Sequence, residues 1–202
     1  YMDLSVTFWL KTSDSNPNAF PSGLFLVSRD IAGYAADWNI CLGQGRKIQF
    51  LTDANALVPV NDTESNQWVH VACVADAAGH LKTIFLNGQP AASASWSPSA
   101  FANNNVPIFL GAATVETASH AFLTGNMADV RIYNRTLSAS EVQQLYAYES
   151  ASSCVPPPSG LVGWWPGESN ALDSAGSSDD GTLQGGVGYA AGKVGEAFVF
   201  NG

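Results

Sequence analysis

Trp68-Val-His-Val-Ala-Cys-Val-Ala-Asp76, a turn at Ala78-Gly-His80, then Leu81-Lys-Thr-Ile-Phe-Leu-Asn-Gly88 is the stretch that decides the fold. Two apolar runs, Trp68–Ala75 and Lys82–Leu86, each have strand length, and turn residues separate them. The second run ends at Asn87-Gly88 and the chain resumes at Gln89-Pro-Ala91. A two-residue turn with positive φ at both positions suits Asn-Gly, so a hairpin is expected there.

The same grammar extends in both directions. Leu4, Val6, Phe8 and Leu10 alternate with Ser5, Thr7, Trp9 and Lys11, the pattern of a half-buried strand. Further strands are expected at Gly23–Ser28, Asp37–Gly43, Lys47–Thr52, Ala91–Trp96, Ile108–Ala112 and Ala128–Tyr133, with turns at Gly43-Gln-Gly45 and Gly125-Asn126. Many short strands with frequent turns give an all-β, two-sheet antiparallel sandwich or jelly roll. One short helix interrupts it. Ser138-Ala-Ser-Glu141 is a capping box, Leu137 and Val142 occupy the staple positions, and Val142, Leu145 and Tyr146 share a face that ends near Tyr148.

The boundary lies at Ala151–Gly160, where Val155-Pro-Pro-Pro-Ser159 favours a semi-rigid extended spacer. Beyond it Leu161–Trp165, Thr182–Gln184 and Ala197–Phe200 read as strands around a long polar loop, Gly167–Gly181. These motifs resemble the laminin-G-like group of concanavalin A-like jelly rolls. Trp68–Asp76 with Leu81–Gly88 is similar to its strand–turn–strand signature, and Gly125–Val142 to its closing strand and helix. Leu161-Val-Gly-Trp-Trp-Pro-Gly167, Asp173-Ser-Ala-Gly176, Asp180-Gly-Thr-Leu183 and Gly192–Gly202 resemble its opening, here placed last. The resemblance implies three parts: residues 1–150 as a body without opening strands, 151–160 as linker, and 161–202 as an opening segment. That segment either completes the same sandwich or pairs with another chain, and the first is preferred because about ten residues can span a domain.

Composition bounds the partners. The chain has 202 residues, enough for a real core, with 46% hydrophobic and 12% charged residues. Seventeen acidic against eight basic residues give a net charge of −9, which argues against nucleic acid and anionic membrane. No apolar run is long enough to span a bilayer. Tyr1-Met2-Asp3 leads straight into a strand pattern without the marks of a signal peptide, which in a sequence read from mid-domain says nothing about export. Low charge with many Asn, Ser and Thr suits an extracellular or cell-surface setting.

The chemistry expected is that of binding. The resemblance implies a structural calcium held by Asp173, Asp180 and Asp129, completed by carbonyls and water; the alternative is that these aspartates only form Asx turns. Trp9, Trp38, Trp96, Trp164 and Trp165, with Tyr34, could stack on sugar rings if exposed. Trp38 and Tyr34, flanking the Ser28–Asp37 loop, and Trp9, opposite the apolar face of its strand, stand out, and the alternative is core packing. Glutamates 64, 116, 141, 149, 168 and 196 are scattered without the paired spacing a glycosidase needs, and no nucleophile elbow or phosphate loop occurs. His70 reads as a strand residue rather than a base. Cys41 and Cys73 read as small buried hydrophobes, whereas Cys154 in the linker is open to pairing. Asn61-Asp-Thr63 and Asn134-Arg-Thr136 match the glycosylation sequon. The expectation is a non-catalytic extracellular repeat module for adhesion, assembly or ligand binding. Its partners would be neighbouring repeats, glycans or surface proteins. The alternative is a carbohydrate-binding module attached to a secreted enzyme.

Overall fold

The computed structural model describes residues 3–14, 24–29, 38–52, 56–59, 61–97, 106–112, 122–150 and 157–202. Two antiparallel sheets face each other. Strands β1 (Leu4–Lys11), β6 (Val69–Asp76), β7 (Leu81–Leu86), β8 (Gln89–Ser95), β10 (Thr124–Tyr133), β11 (Leu161–Trp165), β12 (Gly188–Ala191) and β13 (Glu196–Asn201) form the larger one. Its order is β12-β13-β10-β1-β6-β7-β8, with β11 also on β10. Strands β2 (Leu24–Arg29), β3 (Trp38–Gly43), β4 (Lys47–Leu51), β5 (Ala56–Leu57) and β9 (Phe109–Leu110) form the smaller, in the order β5-β4-β3-β2-β9. Between them Val6, Phe8, Leu26, Ile40, Ile48, Phe50, Val71 and Ile84 are fully buried.

The hairpin at Asn87-Gly88 forms as its sequence dictates. Asn87 and Gly88 adopt φ of 49° and 75°, and Leu86 pairs with Gln89. Asn87 Oδ1 also accepts the His70 N–H at 2.9 Å, tying the turn to the neighbouring strand. Helix α1 (Ala139–Ser150) starts on a reciprocal box. The Glu141 N–H donates to Ser138 Oγ at 3.3 Å, and the Ser138 N–H donates to Glu141 Oε2 at 2.9 Å. Leu137 and Val142 are both buried beside Leu145 and Tyr133, which fixes the helix on the outer face of the larger sheet.

Several expectations change. Gly125-Asn126 is no turn but lies within β10, paired with Phe200 and Val199. Residues 182–184 form no strand, whereas 188–191 do. Strand β1 is buried on both faces rather than one, because α1 and its leading loop lie across it. Ser5 Oγ donates to Arg135 O at 2.8 Å and accepts the Leu137 N–H at 2.9 Å, closing that contact.

Candidate functional site

Strand β10 changes partner half-way. Residues 124–127 pair with β13, and 130–133 pair with β11. Asp129 stands at the change, with φ of 52° and its N–H on Pro166 O at 3.2 Å. On the other side the β1 register shifts between Thr7 and Trp9, so β10 carries a bulge here. Bulges re-aim side chains, and an aspartate tolerates positive φ better than most residues. The Asp129 Oδ1 accepts Trp164 Nε1–H at 3.0 Å and Arg131 Nη2–H at 3.0 Å. The Arg131 guanidinium lies 4.7 Å from the centroid of the half-exposed Trp164 ring.

Beneath α1 the same arginine meets a second carboxylate. Glu149 is only 8% exposed and lies against Arg131 Nη1. It also accepts Trp9 Nε1–H at 2.8 Å, and its Oε2 is 3.5 Å from His70 Nε2. Trp9 meets His70 edge-on at 5.3 Å, and Tyr146 of α1 stacks beside both. Burial, aided by the Arg131 charge, pushes His70 down to about 3, so its ring is neutral near pH 7. A single guanidinium therefore sits between two carboxylates, one facing the helix and one facing β11.

The polar loop after β11 is organised around Asp173. Its Oδ1 accepts the N–H groups of Trp164 and Ala175 at 2.9 and 2.8 Å. Its Oδ2 accepts the Ser177 N–H at 3.2 Å and the Ser177 hydroxyl. Partial burial works against the charge of Asp173, but these donors outweigh it and hold the carboxyl below its ordinary range. Asp180 Oδ1 accepts the Asp173 N–H at 2.9 Å, which closes the loop.

The expected calcium ligands are thus near one another in topology but do not converge. Asp173 and Asp180 share a loop, and Asp129 reaches it only through Trp164. Among the described residues, no three His, Cys, Asp or Glu side chains are grouped to hold a metal ion. Calcium takes six to eight oxygens, whereas both oxygens of Asp173 already accept donors and Asp129 has a guanidinium beside it. As arranged, this set does not fit calcium. The stacking residues also need correction. Trp9 and Trp38 are each 2% exposed: Trp9 is covered by α1, and Trp38 joins the core between the sheets, so neither ring can meet a sugar. Tyr34 lies outside the described residues, as does Cys154. Cys41 and Cys73 are both buried, as expected of small apolar side chains.

Sequence reasoning missed Arg131 and Glu149. One signal was available. Glu149 falls in the last turn of α1, where the helix dipole disfavours an acid and no base is present, so a cation had to come from elsewhere. Other carboxylates hold turns: Glu168 Oε1 accepts the Glu196 N–H at 3.0 Å, and Glu196 accepts the Ser169 hydroxyl.

Comparison with known proteins agrees with this architecture. Residues 2–143 match the laminin-G-type family described as the Concanavalin A-like lectin/glucanases superfamily. No curated protein sequence matches significantly. Among solved structures, a proposed carbohydrate-binding protein of Bacteroides ovatus superposes with a TM-score of 0.64 at 16% identity. The match covers 99% of this chain and 52% of that one, so this chain spans about half its length. A pentraxin of Limulus polyphemus gives 0.56 at 13% identity, covering 79% and 75% of the two chains. Domain 4 of an extracellular arabinanase from Geobacillus stearothermophilus, in complex with arabinotriose, gives 0.50 at 20% identity, covering 71% and 66%. At these identities the structures speak for the fold alone, and the sequence match over most of the chain decides the family: the protein belongs to the Concanavalin A-like lectin/glucanases superfamily.

Proposed function

We propose that this chain is a non-catalytic glycan-binding module that works outside the cell. The observation that carries this reading is the division of labour at Trp164-Trp165. Trp165 packs into the core, while Trp164 is half-exposed on the outer side, its Nε1 fixed by Asp129. Arg131 covers one face of this indole, and the exposed remainder, anchored at its polar end, offers an apolar surface to a sugar ring. Beside it runs the exposed loop of residues 168–186, rich in hydroxyl, amide and carboxylate groups that recognise sugar hydroxyls. The family supports a lectin-like role, as does the arabinotriose bound to the arabinanase domain. The net charge of −9 favours neutral over polyanionic glycans. On the enzymatic side, Arg131 favours the ionised form of Asp129 and Glu149, which does not suit a general acid, and Glu149 is buried out of a substrate's reach.

The test is a glycan array of neutral and anionic oligosaccharides, arabinotriose included, followed by fluorescence titration of the full chain. Binding to a neutral glycan is expected. Trp164→Ala should weaken it about tenfold or more, roughly 1.4 kcal/mol, without loss of cooperative melting. Silence across the array, or binding indifferent to Trp164→Ala, would remove the proposal.

A further inference from the structure

The second edge of β10 is completed by a segment remote in sequence. β11 and β13 pair with β10 only after the chain has passed through α1 and the Pro-rich stretch. The pairing brings real core with it. Trp165, Phe198 and Phe200 are 8%, 3% and 7% exposed and join Leu123, Met127 and Val130 in the principal cluster. The fit at Phe200 is close, since a Cβ on Gly111 would come within 2.5 Å of its ring. Among the described residues β12 pairs with β13 alone and β11 with β10 alone, so residues 157–202 form a unit of three strands whose pairing to the rest runs through one edge of β10.

We propose that this unit is an exchangeable strand donor, and that residues 157–202 of one copy can complete the β10 edge of a second copy of this chain. The occupant is defined by the edge itself. Identical residues from another copy make the same ladder at Asn126–Val199 and Arg131–Trp164 and bury the same aromatic side chains. Cis and trans pairing therefore differ little in contact energy, and the tether decides between them. A short tether, residues 151–156, gives an effective concentration on the order of millimolar or above, so dilute chains close on themselves. Copies at comparable local concentration exchange, and a head-to-tail exchange closes into a dimer or runs on as an array. This rests on the sheet topology and is independent of glycan binding.

The experiment begins with the unmodified full chain. Isotope-labelled and unlabelled protein are unfolded together, refolded at micromolar and at near-millimolar concentration, and weighed by native mass spectrometry. Mixed-label dimers are expected at the high concentration, and at least tenfold fewer at the low one. The register is then checked in a Cys154→Ser background by mixing two single variants, Asn126→Cys and Val199→Cys, whose positions face each other across β10 and β13. Opposed residues lie within disulfide reach, so a covalent heterodimer should form after co-refolding. A Lys47→Cys partner, on the other sheet, should give none. Absence of mixed-label dimers at every concentration overturns the proposal, and so does equal cross-linking by the Lys47→Cys control.

Discussion

Glu149 and Asp173 are both carboxylates that gather several donors, Glu149 from distant strands and Asp173 from within nine residues of itself, and the two regions work by different physics. Glu149 is buried under α1, where a guanidinium, an indole N–H and a neutral imidazole face it. Asp173 sits in a half-exposed loop and accepts mostly backbone N–H groups. Removing water from a charge costs several kcal/mol, so the buried group depends on its partner. The loop carboxylate keeps access to solvent and can exchange protein donors for water. The difference teaches where a substitution will matter: burial of the partner left behind sets the loss, more than the number of bonds broken.

The largest expected effect tests the buried side. Glu149→Ala leaves Arg131 with Asp129 alone and strips the buried Trp9 Nε1–H of its acceptor, so it should lower unfolding free energy by about 2–3 kcal/mol, read from denaturant midpoints. The double variant Glu149→Leu with Arg131→Met should recover much of that loss, since it removes both charges together. A loss below about 1 kcal/mol for Glu149→Ala would show that water reaches the cluster, and the contrast would collapse.

Asp173→Ala comes next and sharpens the comparison on the exposed side. It releases the N–H groups of Trp164 and Ala175 and the Ser177 hydroxyl to solvent, so a loss of about 1–2 kcal/mol is expected. Because hydrogen bonds alone account for the loop, the loss should be equal in calcium and in chelator. If chelator lowers the melting temperature of the unmodified chain by several degrees and Asp173→Ala abolishes that response, calcium is a ligand of this loop and its donors rearrange to bind it.

Much of this architecture is legible where the determining residues are close in sequence. Ser138 and Glu141 are three residues apart, and Asn87-Gly88 encodes its own turn; both form as read. What escaped depends on distant chain. The alternation of β1 looks half-buried, but α1 and its leading loop, about 130 residues later, cover Trp9 and Ser5. Gly125-Asn126 has turn chemistry yet lies between two paired strands, and that pairing overrides local preference. The link from Asp129 through Trp164 to Asp173 needs a bulge, a strand from beyond the linker and a loop, none of which periodicity encodes.

The smallest effect lies at the start of α1, where the carboxylate is neither buried nor in a loop. Arg135 Nη2 donates to Glu141 Oε1 at 2.6 Å, and the Ser138 N–H donates to its Oε2. The Arg135 hydrogen bonds and then the Ser138 N–H hold Glu141 down to about 2, from an ordinary value of 4.5. A carboxylate with a lowered folded value stabilises the fold above its unfolded value and loses that contribution as pH falls through the folded one. The stabilisation should therefore be complete above about pH 5 and fade between about 4.5 and 2. Glu141→Gln keeps a group able to reach the Ser138 N–H but removes the charge, so it should cost about 0.5–1 kcal/mol at neutral pH. Below about pH 2 it should cost almost nothing. A deficit that is the same at pH 7 and pH 2 would mean that the charge of Glu141 contributes nothing and that the capping geometry alone holds the helix.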